Sequence, residues 1–171
     1  MMSSDILWYP KLSKLMKMNN NIKLTVGIKI DENKWRKIKN IEEFTEKIIS
    51  HITKLIDIKG YQEISIYYTN NNTIRNLNKK YRNIRKPTNV LSFPAEYPLL
   101  GDIVLSYEYI NTECKNQNKT LEAHVTHMIL HGLLHLLEFN HDTNKEADTM
   151  ENIEINILKI LGHRNPYIIY D

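Results

Sequence analysis

Glu122-Ala123-His124-Val125-Thr126-His127-Met128-Ile129-Leu130-His131-Gly132-Leu133-Leu134-His135-Leu136-Leu137-Glu138-Phe139-Asn140-His141 holds five of the chain's seven histidines. Apolar residues fill most of the gaps. At about 100° per residue, positions 124, 131 and 135 share a narrow arc of one helical face, with His127 a little to the side. His131 and His135 stand one turn apart, and imidazoles at i and i+4 can grip a single metal ion. His141 can return as a third ligand once the helix ends. Three nitrogens with one position left for water is the arrangement of a catalytic zinc site. A lone histidine on an apolar face is usually a packing residue. Packing, however, rarely chooses several costly polar rings for one stripe where leucine would serve. His124 and His127 lie a turn or two back and are expected to support the site rather than ligate.

The spacing His131-x3-His135-x5-His141 also matches the ligands of the longer metallopeptidase motif H-E-x-x-H-x-x-G-x-x-H. Gly132 stands where that motif carries its general-base glutamate. The metal-site reading survives this difference, whereas the peptidase reading is badly weakened.

Working outward, Ile22–Ile30 alternates apolar and polar residues and reads as a strand with one covered face. Asn40 and Glu43 have capping-box spacing before an apolar stripe of Ile41, Phe44, Ile48, Ile52, Leu55 and Ile56, with Gly60 as the stop. Ile64–Tyr68 reads as a second strand, and Thr73–Arg82 as a helix whose apolar side is Ile74, Leu77 and Tyr81. Val90–Phe93 and Gly101–Leu105 complete four short strands. A helix over Ser106–Asn116 precedes the histidine helix, which Thr120 caps and which ends near Leu137. Thr143 and Glu146 form another capping box, opening a last helix through Leu161. The expected fold is α+β: a single domain with a small mixed four-stranded sheet, five or six helices and a zinc cleft at the histidine helix. Residues 1–21 read as an extension and residues 22–171 as the one catalytic domain.

The 171 residues suffice for a substantial core. One cysteine, Cys114, excludes an internal disulfide and a thiolate-only metal site. With no apolar run near ~20 residues and no secretory pattern in Met1–Asn21, a soluble, cytoplasmic protein with no membrane partner is expected. The net charge of +3 is too mild to signal nucleic acid without a local cluster. There is such a cluster. Ile64 to Ala95 contains no acidic residue, while Arg75, Lys79, Lys80, Arg82, Arg85 and Lys86 fall close together. A solvated helix face would look similar, but guanidinium forks suit phosphate oxygens. If this face lies beside the metal, the natural substrate is a phosphodiester.

Four segments occur in order: Leu77-Asn78-Lys79-Lys80-Tyr81-Arg82, Pro87-Thr88-Asn89-Val90-Leu91-Ser92-Phe93-Pro94, Leu100-Gly101-Asp102-Ile103-Val104 and His131-Gly132-Leu133-Leu134-His135-Leu136. Glu146, Met150 and Glu154 follow at helical spacing. Together these resemble the bacterial YbeY family of zinc-dependent endoribonucleases, over roughly Ile22 to Tyr167. The resemblance implies that His131, His135 and His141 bind one Zn2+ per chain. It implies Arg82 as a catalytic or RNA-engaging residue, and Lys79, Arg85 and Lys86 are expected to contact RNA. The implied activity is single-strand-specific cleavage in 16S rRNA 3′-end maturation and ribosome quality control. The implied partners are ribosomal RNA, the small ribosomal subunit and ribosome-associated proteins. Two alternatives stand beside it: a non-enzymatic RNA-binding assembly factor with structural zinc, and a metallohydrolase of another substrate class. The chain departs from the family at Glu138-Phe139-Asn140, where relatives usually carry Gly-Tyr-Asp. A glutamate at a positive-φ position costs about 1 kcal/mol, and its carboxylate is expected near the metal. Arg85 replaces an acidic residue, making that loop more basic.

Overall fold

Val26, Ile28 and Ile30 are half-buried while Thr25 and Lys29 between and beside them are exposed, and the apolar period of two makes Thr25–Ile30 (β1) a half-covered strand. The computed structural model describes residues 24–169. The expected extension and the first residues of the expected opening strand lie outside that range. A short 3-10 turn (Asn33–Lys37) buries Trp35, whose indole N–H donates to the Thr69 carbonyl at 2.8 Å.

Helix α1 (Ile41–Leu55) carries β1 over to Glu63–Thr69 (β2), and the two strands pair in parallel. A parallel pair needs such a crossover. Helix α2 (Asn71–Arg82) follows, then Val90–Pro94 (β3) and Leu99–Ser106 (β4). The spatial order is β1-β2-β4-β3, with β2 and β4 parallel and β3 antiparallel to β4. The chain closes with α3 (Tyr107–Asn116), α4 (Leu121–Leu136) and α5 (Asn144–Ile160). This is one α+β domain with a mixed four-stranded sheet and, among the described residues, five α-helices, as expected.

The sheet's two faces carry different helices. Ile66, Tyr68, Ile103 and Leu105 belong to the main core, shared with α1, α3, α4 and α5. Leu91 and Val104, of opposite parity, pack with Ile74 and Leu77 of α2 in a smaller cluster. The histidine helix therefore lies on one face and the basic helix on the other, with β3 at the sheet edge between them.

Local signals were mostly sound, with three exceptions. Asn40 sits in left-handed backbone at φ 49° and makes no side-chain capping bond, so the expected Asn40–Glu43 capping box does not form. Helix α1 ends at Leu55, before Gly60. Tyr81 is 57% exposed rather than core, its ring tilted against Phe93 at a centroid distance of 5.0 Å. Thr120 and the Thr143–Glu146 box do cap α4 and α5.

Candidate metal centre

Helix α4 is buried nearly all round, from His124 to Leu136. A helix so enclosed belongs to the core rather than the surface. Gly132 is what lets it approach the sheet. A Cβ there would meet Ile103 at 2.9 and 3.0 Å and Ser92 Oγ at 3.0 Å. Ser92 instead donates its hydroxyl to the Gly132 carbonyl at 3.1 Å. The glutamate of the peptidase motif would have no room here, so the peptidase reading fails on packing as well as on sequence.

His131 and His135 leave this rigid helix with ring centroids 4.6 Å apart. The helix then ends in a Schellman turn. Glu138 N donates to the His135 carbonyl at 2.9 Å and Phe139 N to the Leu134 carbonyl at 3.0 Å, with Glu138 at φ 69°. The turn swings the chain back, so that the Phe139 carbonyl meets His135 Nδ1 at 2.9 Å. It also brings the exposed His141 ring to centroid distances of 5.6 Å from His131 and 5.0 Å from His135. One nitrogen from each of the three lies within 4.8 Å of the others.

Glu138 itself does not join them. Its side chain is 86% exposed and lies 3.7 Å from Lys59 Nζ, and it belongs to none of the ligand-capable clusters among the described residues. The expectation of an added carboxylate at the metal is corrected: positive φ turns the side chain outward.

Hydrogen bonding fixes which ring nitrogens are free. His131 Nδ1 is 2.8 Å from Glu154 Oε1, and His135 Nδ1 faces the Phe139 carbonyl. Both partners only accept, so both protons sit on Nδ1. That leaves two bare Nε2 lone pairs facing each other at 3.1 Å. Two lone pairs so placed repel unless a metal cation or a shared proton lies between them, and His141 supplies a third donor. The donor set fits a metal that favours imidazole. Burial and the neighbouring rings of His131 and His141 push His135 down to about 4, holding it in the neutral form that ligates.

Glu154 anchors this arrangement from α5. It is fully buried and accepts from His131, from His127 Nε2 at 3.2 Å and from the Tyr167 hydroxyl. Burial alone would raise its pKa, but the hydrogen bonds from His127 and His131 outweigh that and hold it near about 2. His127, His131 and Glu154 form a second group compact enough for a metal ion. The two groups share His131, one through each ring nitrogen. Glu154 stood in the sequence as a motif position without a role. The available signal was a carboxylate inside the apolar stripe Met150, Ile153, Ile157 and Leu158.

A family model described as Endoribonuclease YbeY matches residues 28–162. The chain belongs to the YbeY family. The chain is 40% identical over 153 residues to the Bartonella bacilliformis endoribonuclease YbeY, covering 84% of this chain and 97% of that one. The Ehrlichia chaffeensis YbeY is 42% identical over 151 residues, with the same coverages. The solution structure of a Thermotoga maritima protein covers 84% of this chain and 99% of its own, with a TM-score of 0.50. At 18% identity that likeness concerns the fold alone. The stretch matched by the YbeY family model contains His131, His135, His141 and Glu154.

The basic residues stand apart from the histidines. Lys79, Arg82, Arg85 and Lys86 are all exposed, and none forms an ion pair among the described residues. Arg82 ends α2 beside Tyr81, which leans on Phe93 of β3. The next residue on that strand, Ser92, touches the carbonyl adjoining His131. The cationic segment and the histidine cluster thus flank the same edge strand.

Proposed function

We propose that this chain is a single-strand-specific endoribonuclease whose His131, His135 and His141 hold one zinc ion. The observation that carries the reading is the pair of inward Nε2 lone pairs, each oriented by its own Nδ1 partner. Three protein donors leave a coordination position open, as catalysis requires, whereas structural zinc sites are closed by four. The bound zinc would polarise a phosphoryl oxygen and lower the pKa of water to about 7.

The protein's own residues do the remaining work. Glu154 keeps the His131 ring in the tautomer that ligates, and the Phe139 carbonyl does the same for His135. Arg82 offsets charge that develops on the phosphate, its guanidinium donating to phosphate oxygens. Lys79, Arg85 and Lys86 continue the cationic track along β3 and draw the RNA backbone across the sheet edge. Membership of the YbeY family supports RNA as the substrate. We assign the cellular role to 16S rRNA 3′-end maturation and quality control on the small ribosomal subunit in the cytoplasm. Among the described residues, no helix is long and apolar enough to cross a membrane.

The test is cleavage of single-stranded RNA by purified protein before and after chelation, with zinc restored. Activity is expected to vanish with the metal and return with it. Wild-type activity in His131→Ala would refute the assignment.

A further inference from the structure

Beyond α5 the chain doubles back. Gly162, at φ 85°, carries it out of the helix, and the His163 N–H donates to the Leu158 carbonyl at 2.8 Å. The Asn165 side-chain oxygen then accepts from the Tyr167 N–H at 2.9 Å, a local turn of the kind asparagine favours. Lys119, in the loop before α4, donates from its ammonium to the Pro166 carbonyl. Tied at these points, the returning segment delivers the Tyr167 side chain to the contact between α4 and α5. The residue is 44% exposed, yet its hydroxyl reaches Glu154, which is wholly buried. Its ring meets His127 edge-on at a centroid distance of 5.6 Å.

The two oxygens of Glu154 are used differently. Oε1 accepts from His131 Nδ1 at 2.8 Å, while Oε2 accepts from His127 Nε2 at 3.2 Å and from the Tyr167 hydroxyl. The last torsion of a glutamate is soft, so nothing within the side chain itself keeps Oε1 on His131. The bonds to Oε2 do that, and the one from His127 is at the long end of the hydrogen-bond range. The bond from Tyr167 is the firmer of the two, a hydroxyl donating to an ionised carboxylate. A carboxylate only accepts, so the phenol is the donor. Burial and the Glu154 charge hold that proton in place well above the ordinary tyrosine range.

We propose that Tyr167 is a positioning residue of the metal site: its hydroxyl fixes the rotation of the Glu154 carboxylate, and through it the His131 ring presents Nε2 to the metal. Tyr167 acts on the centre only through Glu154. The proposal rests on the three-histidine metal reading.

Tyr167→Phe removes the hydroxyl and keeps the ring. Zinc affinity, measured on the full chain by chelator competition, is expected to fall roughly 3–10-fold, less than for a direct partner of a ligand because the change lies one bond further out. In a Glu154→Gln background the same substitution should change affinity by less than about twofold, since the two residues act in series. In the imidazole 15N–1H spectrum of the metal-free protein, Tyr167→Phe should displace the His131 Nδ1–H resonance. That of His135, which donates to the Phe139 carbonyl, should stay in place. Ile168→Ala alters the same segment without touching Glu154 and should leave zinc affinity within about twofold. Unchanged affinity in Tyr167→Phe would overturn the proposal, as would a loss that adds in full to that of Glu154→Gln. An equal loss in Ile168→Ala, or His131 and His135 resonances that move together, would reduce Tyr167 to a structural contact and overturn it equally. A wild type that binds no zinc overturns the metal reading instead, and is told apart because the metal-free His131 resonance reports on Tyr167 without any ion.

Discussion

Replacing Glu138 by glycine is expected to stabilise the protein, although it deletes a side chain and an ion pair. At φ 69° a residue bearing Cβ is disfavoured by roughly 1–2 kcal/mol. Glycine escapes that penalty but loses more chain entropy on folding, about 0.5–1 kcal/mol. The pair with Lys59 adds little to the balance. Its side chains are 55% and 86% exposed and its atoms 3.7 Å apart, the setting in which ion pairs are weakest. The net expectation is a gain of about 0.5–1 kcal/mol, and a rise in Tm of about 1–4 °C for a chain of this size. Urea titration of the metal-free protein measures it, with an unchanged m-value confirming that the comparison is clean. The Schellman bonds to the Leu134 and His135 carbonyls should persist, so zinc affinity should change by no more than a few-fold. Lower stability in Glu138→Gly would refute the strain assignment. A large loss of zinc affinity would show that the carboxylate serves the metal after all.

Two further outcomes follow from buried groups. Glu154→Gln keeps the shape of the side chain that orients His131 but removes its charge, and zinc affinity should fall roughly 10–100-fold by chelator competition. Unchanged affinity would deny Glu154 its positioning role. Burial pushes the Cys114 thiol up to about 11, so the folded state keeps its proton where the unfolded chain, near about 8.5, has lost it. The unfolded state therefore binds fewer protons as pH rises from about 8.5 to about 11, and stability contributed by this thiol is lost across that window. Iodoacetamide at pH 9 should alkylate urea-unfolded protein rapidly and the native protein slowly. Equal rates would contradict the burial.

How far the sequence could be read depended on whether a signal was local. Thr120 and the Thr143–Glu146 pair cap their helices through bonds spanning three residues, and such signals are visible in order along the chain. The His131–His135 pair is legible for the same reason, being one helical turn. Asn40 misled because its spacing to Glu43 was right while its backbone took left-handed angles, which spacing does not encode. The place of β4 between β2 and β3 is a tertiary outcome with no local mark. Glu154 meets His131 across 23 residues, and Glu113 meets His124 from another helix. Each could be noticed as a charge out of place, but its partner emerges only when the helices are packed.

The three proposed ligands differ in how firmly they are held. His131 and His135 stand on a helix locked into the core by Gly132, whereas His141 is exposed and stands outside any helix, beyond the turn at Glu138. Such a centre would set two donors on a packed helix beside a third carried on a loop. Were zinc bound by these three residues, His131 and His135 would offer a preformed pair of donors and His141 the third, and the ion would enter or leave without disturbing the core. Speed of metal exchange should therefore be governed by the stiffness of residues 138–141, while selectivity among metals is governed by the helix.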